Sequence, residues 1–260
     1  MSDEGFAPDQ PGVTVRPSPN HGERRGMNAP DILLLHYTGM ASGQAAEDWL
    51  CDPASEVSCH YIVHEDGRIV QMVPESRRAW HAGRSSWQGQ EDVNSRSVGI
   101  EVVNPGHNIG YRDFPERQID AVIELCRGIV GRHGIAPERV LAHSDVAPGR
   151  KVDPGEKFPW KRLAQAGLAF HVPPSETEGD GLRFGDRGEA VAALREALRQ
   201  VGYGLEPGSE FDGPLKIVVE AFQRRFRPAR VDGEADLGTL ETLKQVSLAL
   251  FGCKACAEAV

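Results

Sequence analysis

The sequence predicts an α/β domain, a mixed central sheet flanked by helices, followed by a small all-α unit of three helices. Three observations predict it. Short apolar runs alternate with amphipathic stretches as far as about Phe170. The stretch 171–181, with Pro173-Pro174 and a run of Ser, Glu, Thr, Gly and Asp, then breaks the pattern as a linker. Beyond it only helical periodicity remains, in Glu189–Val201, Leu215–Phe226 and Leu237–Leu250, with Asp212-Gly213 and Asp232-Gly233 between. The expected limits are an irregular segment 1–28, the α/β domain 29–170, the linker, the helical unit 182–252 and a tail 253–260.

Within the first domain, Ile32–Leu35 is a buried-strand run that ends on His36. Ser42 to Leu50 reads as a helix capped by Ser42, with Ala45, Ala46, Trp49 and Leu50 on one face and Pro53 as its stop. Ser58–His64 alternates, turns at Glu65–Arg68 and continues into Ile69–Met72, a hairpin pattern. His60 and His64 share one face of that strand; a metal pair is conceivable there, but polar residues on the wetter face of a sheet are the commoner explanation, and no catalytic role is assigned. Ser97–Val103 is another strand. Pro115–Arg132 is an amphipathic helix with Ile119, Val122, Ile123, Cys126, Ile129 and Val130 at three- and four-residue steps. Arg139–His143 is the next strand, and Phe158–Gly167 a short closing helix.

Composition narrows the function. With 40% hydrophobic and 7% aromatic residues, the 260-residue chain has the make-up of a globular protein with a real core. Its formal charge of −9 argues against nucleic acid and against an anionic membrane surface as partner. No run approaches the roughly 18 apolar residues of a membrane span. Met1–Pro11 is acidic and lacks an apolar segment, so the chain as written is expected in the cytoplasm. A chain trimmed of an export signal would read the same, which keeps a periplasmic location as the alternative. The five cysteines follow no framework spacing. Cys126 reads as a buried thiol, and Cys253 and Cys256 lack the two further ligands of a structural zinc. A reduced, mostly structural set is consistent with a cytosolic compartment.

The chemistry gathers around Leu141–Trp160. A strand ends on His143, and a loop dense in Pro and Gly carries Arg150, Lys151 and Asp153 back toward it. A divalent metal such as zinc takes imidazole nitrogen and carboxylate oxygen. His143 and Asp153 supply two such ligands if the loop folds back, and a third must come from elsewhere. A merely solvated loop is the plainer explanation, as is a satisfied histidine at a strand edge for His36. That two core strands end alike favours a site. Glu101 places a charge among β-branched residues, which costs free energy unless it is paired or functional, and a raised pKa there suits proton shuttling. Trp80, His81 and Trp87, in a Gly- and Ser-rich stretch, suit a sugar- or peptide-binding wall. The helical unit has no clustered nucleophile, base or metal ligands, so the chemistry is expected in the first domain and a binding or packing role in the second.

These residues carry a resemblance. His36-Tyr37-Thr38, the run Arg78 to Gly83 (Arg-Ala-Trp-His-Ala-Gly), Gly99-Ile100-Glu101 and the run His143 to Gly155 resemble the type 2 N-acetylmuramoyl-L-alanine amidases, related in fold to a phage lysozyme and the peptidoglycan recognition proteins. The likeness covers roughly residues 15 to 170. Residues 182–250, with the run Ala221 to Arg227 and Val231-Asp232-Gly233, are similar to the three-helix peptidoglycan-binding domain often appended to such enzymes. The resemblance implies one zinc ion held by His36, His143 and Asp153, Glu101 as catalytic carboxylate and Lys151 as its cationic partner. Trp80, His81, Trp87 and Arg150 are candidates for substrate contact, with packing or ligand-supporting roles as the alternative. The pairing of Asp153 with Glu101 places the chain with the bacterial anhydro-muropeptide-type amidases. The implied reaction cuts the amide between the lactyl group of N-acetylmuramic acid and L-alanine, with no obligatory protein partner. The expected setting is cytoplasmic recycling of 1,6-anhydro-muropeptides. A periplasmic amidase acting on polymeric peptidoglycan, a silent muropeptide-recognition protein and a different zinc peptidase are the alternatives.

Overall fold

The computed structural model describes residues 5–252; Cys253 and Cys256 lie outside them. The chain forms two compact units. The first takes in the sequence up to Ser85, Asp92–His143 and Asp153–Phe170, and the second Ser86–Glu91, Ser144–Val152 and the sequence from His171.

The first unit is a six-stranded sheet with helices: β1 (Thr14–Val15), β2 (Ile32–Tyr37), β3 (Tyr61–Val63), β4 (Ile69–Gln71), β5 (Ser97–Val102) and β6 (Val140–Ala142). Their spatial order is β1-β4-β3-β5-β2-β6. The β3–β4 hairpin is antiparallel and every other pair is parallel, so the expected mixed sheet is present. Helices α1 (Gly43–Cys51), α2 (Glu116–His133) and α3 (Trp160–Gln165) accompany it. Strand residues alternate between faces. Leu33, Leu35, Val98, Ile100, Val102, Val140 and Ala142 pack into one core cluster with Ile119, Val122, Leu125, Cys126 and Ile129 of α2. Ile62 and Val70 pack with Ala46 and Leu50 of α1 in a second cluster. The residues between, His36 and Glu101 among them, belong to this second face.

α1 begins where expected, its first turn capped by the Ser42 hydroxyl accepting from the Ala45 N–H at 3.1 Å. Its buried face differs from the apolar stripe. Trp49 is half exposed, while Glu47 is buried. The carboxylate is drawn inward by Arg16 at 3.2 Å, Arg68 at 2.8 Å and His64 at 2.7 Å, and a paired buried charge outweighs the indole's preference for cover. The segment read as irregular also contributes structure. β1 pairs along the outer edge of β4, and His21–Gly22 pairs with Arg78–Ala79. Arg16 and Ser18 continue the ladder, donating to Gln71 and Met72 carbonyls at 3.0 and 2.8 Å. Such an edge cover is set by distant partners, which local composition does not reveal.

Glu75 ties the hairpin region to the end of α2. Its buried carboxylate accepts from Tyr61 Oη at 2.6 Å, Arg132 Nη2 at 2.6 Å and His133 Nε2 at 2.7 Å. Burial opposes its ionisation, but these donors outweigh burial and hold its pKa at about 2 against an ordinary 4.5. The stabilisation is present above the unfolded value and is lost as pH falls from 4.5 through 2, a contribution of about 3 kcal/mol at neutral pH. His60, pushed down to about 3 by burial and then by Arg24, acts in the same direction from 6.5 downward, since the unfolded chain takes up a proton the fold excludes. Thermal melts from pH 2 to 7 should show Glu75→Gln less stable at neutrality and with a flatter acid limb. A limb as steep as the parent's below pH 4.5 would remove Glu75 from this account.

In the second unit, α4 (Glu189–Val201), α5 (Gly213–Phe226) and α6 (Leu237–Phe251) are the three expected helices. Asp212 and Asp236 cap α5 and α6 through Leu215 and Thr239 N–H groups at 3.0 and 2.8 Å. Leu194, Leu198, Phe211, Leu215, Phe222 and Leu243 are among its buried apolar residues. Within this unit, the buried Asp145 carboxylate meets Arg225 Nη1 at 2.8 Å and accepts from Tyr203 Oη at 3.0 Å. Among the described residues, no helix is long and apolar enough to cross a membrane.

Candidate metal centre

Sheet register builds the site. His36 and Glu101 are directly paired across β2 and β5, so their side chains leave the same face at the same level. Ala142 pairs with Leu35, which puts His143, the next residue along, level with His36. A single helical turn, His143–Val146, begins there and ends the strand. Three neighbouring strands therefore deliver His143, His36 and Glu101 in one row, on the face away from α2.

His36 Nδ1 lies 2.8 Å from His143 Nδ1 and 3.1 Å from Asp153 Oδ2. His143 Nδ1 lies 2.9 Å from the same carboxylate oxygen. All three residues are buried, and among the described residues they are the group that could hold a metal ion. His143 Nε2 donates to the Ala82 carbonyl at 3.1 Å, which leaves its Nδ1 lone pair facing the other two atoms. Three electron-rich atoms so close need a proton or a cation among them. A tetrahedral ion about 2.0–2.1 Å from each would space them about 3.3 Å apart, a few tenths of an ångström wider than they stand. The donor set fits zinc. Burial works against ionisation of Asp153, but His143 and then His36 hold its pKa well below the usual carboxylate range.

The remaining sequence candidates are spread more widely. Glu101 is half-buried beside His36, with its Oε2 atom shielded from solvent. Lys151 is half-buried and Arg150 exposed; both donate main-chain N–H groups to the Ala147 carbonyl, at 3.0 and 3.2 Å. Trp80 is half-buried, its N–H bonded to Ser58 Oγ at 2.9 Å. Trp87 is buried within the second unit, edge-on to Tyr203 at 5.3 Å, against Gly202, where an added Cβ would meet the indole at 2.5 Å. His81 is also buried, its Nδ1 2.9 Å from His36 Nε2. His60 and His64, expected on a wetter face of the sheet, are instead buried, because Arg24 pairs with the first and Glu47 with Arg68 holds the second; both lie outside the trio.

Comparison with known proteins gives the family. Residues 26–156 match the family model described as N-acetylmuramoyl-L-alanine amidase, and 187–243 match the putative peptidoglycan binding domain. The N-acetylmuramoyl-L-alanine amidase AmiD of Escherichia coli (strain K12) is 35% identical over 243 residues, 85% of this chain and 83% of that protein. The chain belongs to the N-acetylmuramoyl-L-alanine amidase family. A second relative in that family is the 1,6-anhydro-N-acetylmuramyl-L-alanine amidase AmpD of Citrobacter freundii. It is 33% identical over 195 residues, 68% of this chain and 98% of that one. Among solved structures, the complex of Escherichia coli AmiD with anhydro-N-acetylmuramic acid-L-Ala-D-gamma-Glu-L-Lys superposes with a TM-score of 0.71. It is 34% identical and covers 90% of this chain and 98% of the other.

Sequence reasoning passed over Asn94 of this amidase, and it gave Ser97 and Gly99 no role at the site although both lay in the strand it named. Asn94 Oδ1 accepts from the His81 and Ala82 N–H groups at 3.0 and 2.8 Å and so pins the loop behind the two imidazoles. Gly99 carried a usable signal, because glycine inside a strand marks a close approach. An added Cβ there would stand 2.5 Å from the His81 ring.

Proposed function

We propose that this amidase cuts the bond between the lactyl carbonyl of N-acetylmuramic acid and L-alanine in a zinc-dependent reaction, with 1,6-anhydro-muropeptides as substrates. The observation that carries it is the convergence of His36 Nδ1, His143 Nδ1 and Asp153 Oδ2, with Glu101 in register beside them. The anhydro-muropeptide named in the AmiD complex and the 1,6-anhydro-N-acetylmuramyl-L-alanine in AmpD's name support the substrate.

His36, His143 and Asp153 would hold the ion. Zinc, when bound, supplies a Lewis acid that activates water and polarises the scissile carbonyl. Glu101 takes the proton of the attacking water and returns it to the departing alanine nitrogen. Lys151, two residues ahead of the ligand Asp153, is the proposed donor to the oxygen that gains charge. The proposed setting is cytoplasmic and acts on soluble fragments. A second reading, action on polymeric wall, is favoured by the match of 187–243 to a peptidoglycan binding domain.

Mass spectrometry of products from purified muropeptides and from sacculi tests these readings. The expected result is free stem peptide from the soluble anhydro-muropeptide, abolished by a chelator and restored by zinc. Release of single amino acids from free peptides would replace the amidase reaction with a peptidase. Faster release from sacculi would favour the second reading.

A further inference from the structure

The side chains behind His36 form a chain whose direction is fixed from its far end. Ser97 Oγ lies 2.6 Å from the Val93 carbonyl, which accepts and cannot donate, so the hydroxyl proton points there. The Ser97 oxygen is then an acceptor toward His81 Nε2, 3.2 Å away, and that nitrogen carries the ring proton. His81 Nδ1 is consequently a lone pair, 2.9 Å from His36 Nε2, which must donate to it. A histidine with its proton on Nε2 presents a bare Nδ1, and Nδ1 is the His36 atom that faces His143 and Asp153.

Burial and packing hold the relay in place. Ser97 and His36 are almost wholly buried, and the His81 ring stands over Gly99, where any larger residue would displace it. Asn94 Oδ1 holds the His81 N–H from the main-chain side at 3.0 Å. The second ligand is set differently, since His143 Nε2 donates to the Ala82 carbonyl, one residue from His81. One short segment, His81-Ala82, thus fixes both imidazoles with Nδ1 inward, by a side chain for one and a carbonyl for the other.

We propose that His81 is a positioning residue for the metal centre: with Ser97 it holds His36 in the tautomer that turns Nδ1 toward His143 and Asp153. The proposal rests on the reading of those three residues as zinc ligands. It assigns His81 a place behind the ligand instead of on a substrate wall.

The test compares two substitutions of opposite hydrogen-bonding capacity. His81→Asn keeps an acceptor oxygen near the Nδ1 position, whereas His81→Phe keeps the ring and removes the acceptor. Zinc affinity is measured by competition with a chromophoric chelator, and ligand geometry by the visible absorption of the cobalt(II)-loaded protein. The expected result is a zinc affinity about 10–100-fold weaker in His81→Phe with an altered cobalt spectrum, and recovery to within about threefold in His81→Asn. Ser97→Ala, which removes the acceptor for His81 Nε2, should weaken zinc in the same direction by a smaller factor. Equal losses in the Asn and Phe variants, or a Phe variant with the parent's affinity and spectrum, would overturn the role of the relay while leaving the zinc site standing. A parent chain that binds no zinc would overturn both.

Discussion

Glu101→Gln is expected to keep its metal and lose turnover by about 10²–10⁴-fold, the range that positioned general acid–base catalysis contributes. The substitution is close to isosteric, so the packing of Glu101 between Ile62 and His36 in the row across β3, β5 and β2 is retained. What it removes is the capacity to accept a proton and pass it on. The donor atoms of His36, His143 and Asp153 do not include Glu101, so zinc content by elemental analysis should equal the parent's. Product release from an anhydro-muropeptide, followed by mass spectrometry, gives the rate. Turnover within a few-fold of the parent would take the carboxylate out of the reaction. Loss of zinc together with activity would make it a structural partner of the metal centre instead of the proton carrier.

The row on which this rests was half legible in the sequence. Buried runs ending in His36 and His143, and a lone carboxylate inside the strand at Glu101, are local features that hydrophobic patterning exposes. That they stand level is a fact of register, which depends on which strands neighbour one another and where they start. The likeness to the amidase family supplied that neighbourhood in advance; composition and periodicity did not. The elements shift for similar reasons. The β3–β4 hairpin is readable because its turn and both strands are contiguous. β1 escaped notice because two residues gain strand geometry only from the edge of β4, far along the chain. Trp49 was placed on the wrong side because periodicity counts apolar residues, whereas Arg16, Arg68 and His64 draw Glu47 inward. His81 and Trp87 sit in a stretch whose Gly and Ser content reads as an open loop. In the fold both are buried, His81 behind His36 and Trp87 against Tyr203 in the second unit. Polar side chains in such a loop look alike in sequence whether they face substrate or support a ligand, and only the hydrogen-bond partner of each nitrogen separates the cases.

His143→Ala should behave differently from Glu101→Gln, losing the metal and the reaction together. Its imidazole contributes one of three donor atoms and stands 2.8–2.9 Å from both others, so its removal leaves a two-coordinate remnant open on one side. Zinc bound at the trio would also be linked to folding, because the three residues are 107, 10 and 117 residues apart and meet only in the folded chain. Excess zinc at about a thousand times its dissociation constant should stabilise the parent by about 4 kcal/mol. The corresponding rise in melting temperature is expected in Glu101→Gln as in the parent, and to vanish in His143→Ala. The comparison separates binding from chemistry within one assay series, since one variant holds zinc without turning over and the other does neither. If His143→Ala still melted higher with zinc, the ion would have to be stabilising the fold somewhere other than between His36, His143 and Asp153. Only a parent that gains no more from zinc than His143→Ala does would leave the inward-facing nitrogens of His36 and His143 without a cation to meet, and the tautomer relay through His81 without a purpose.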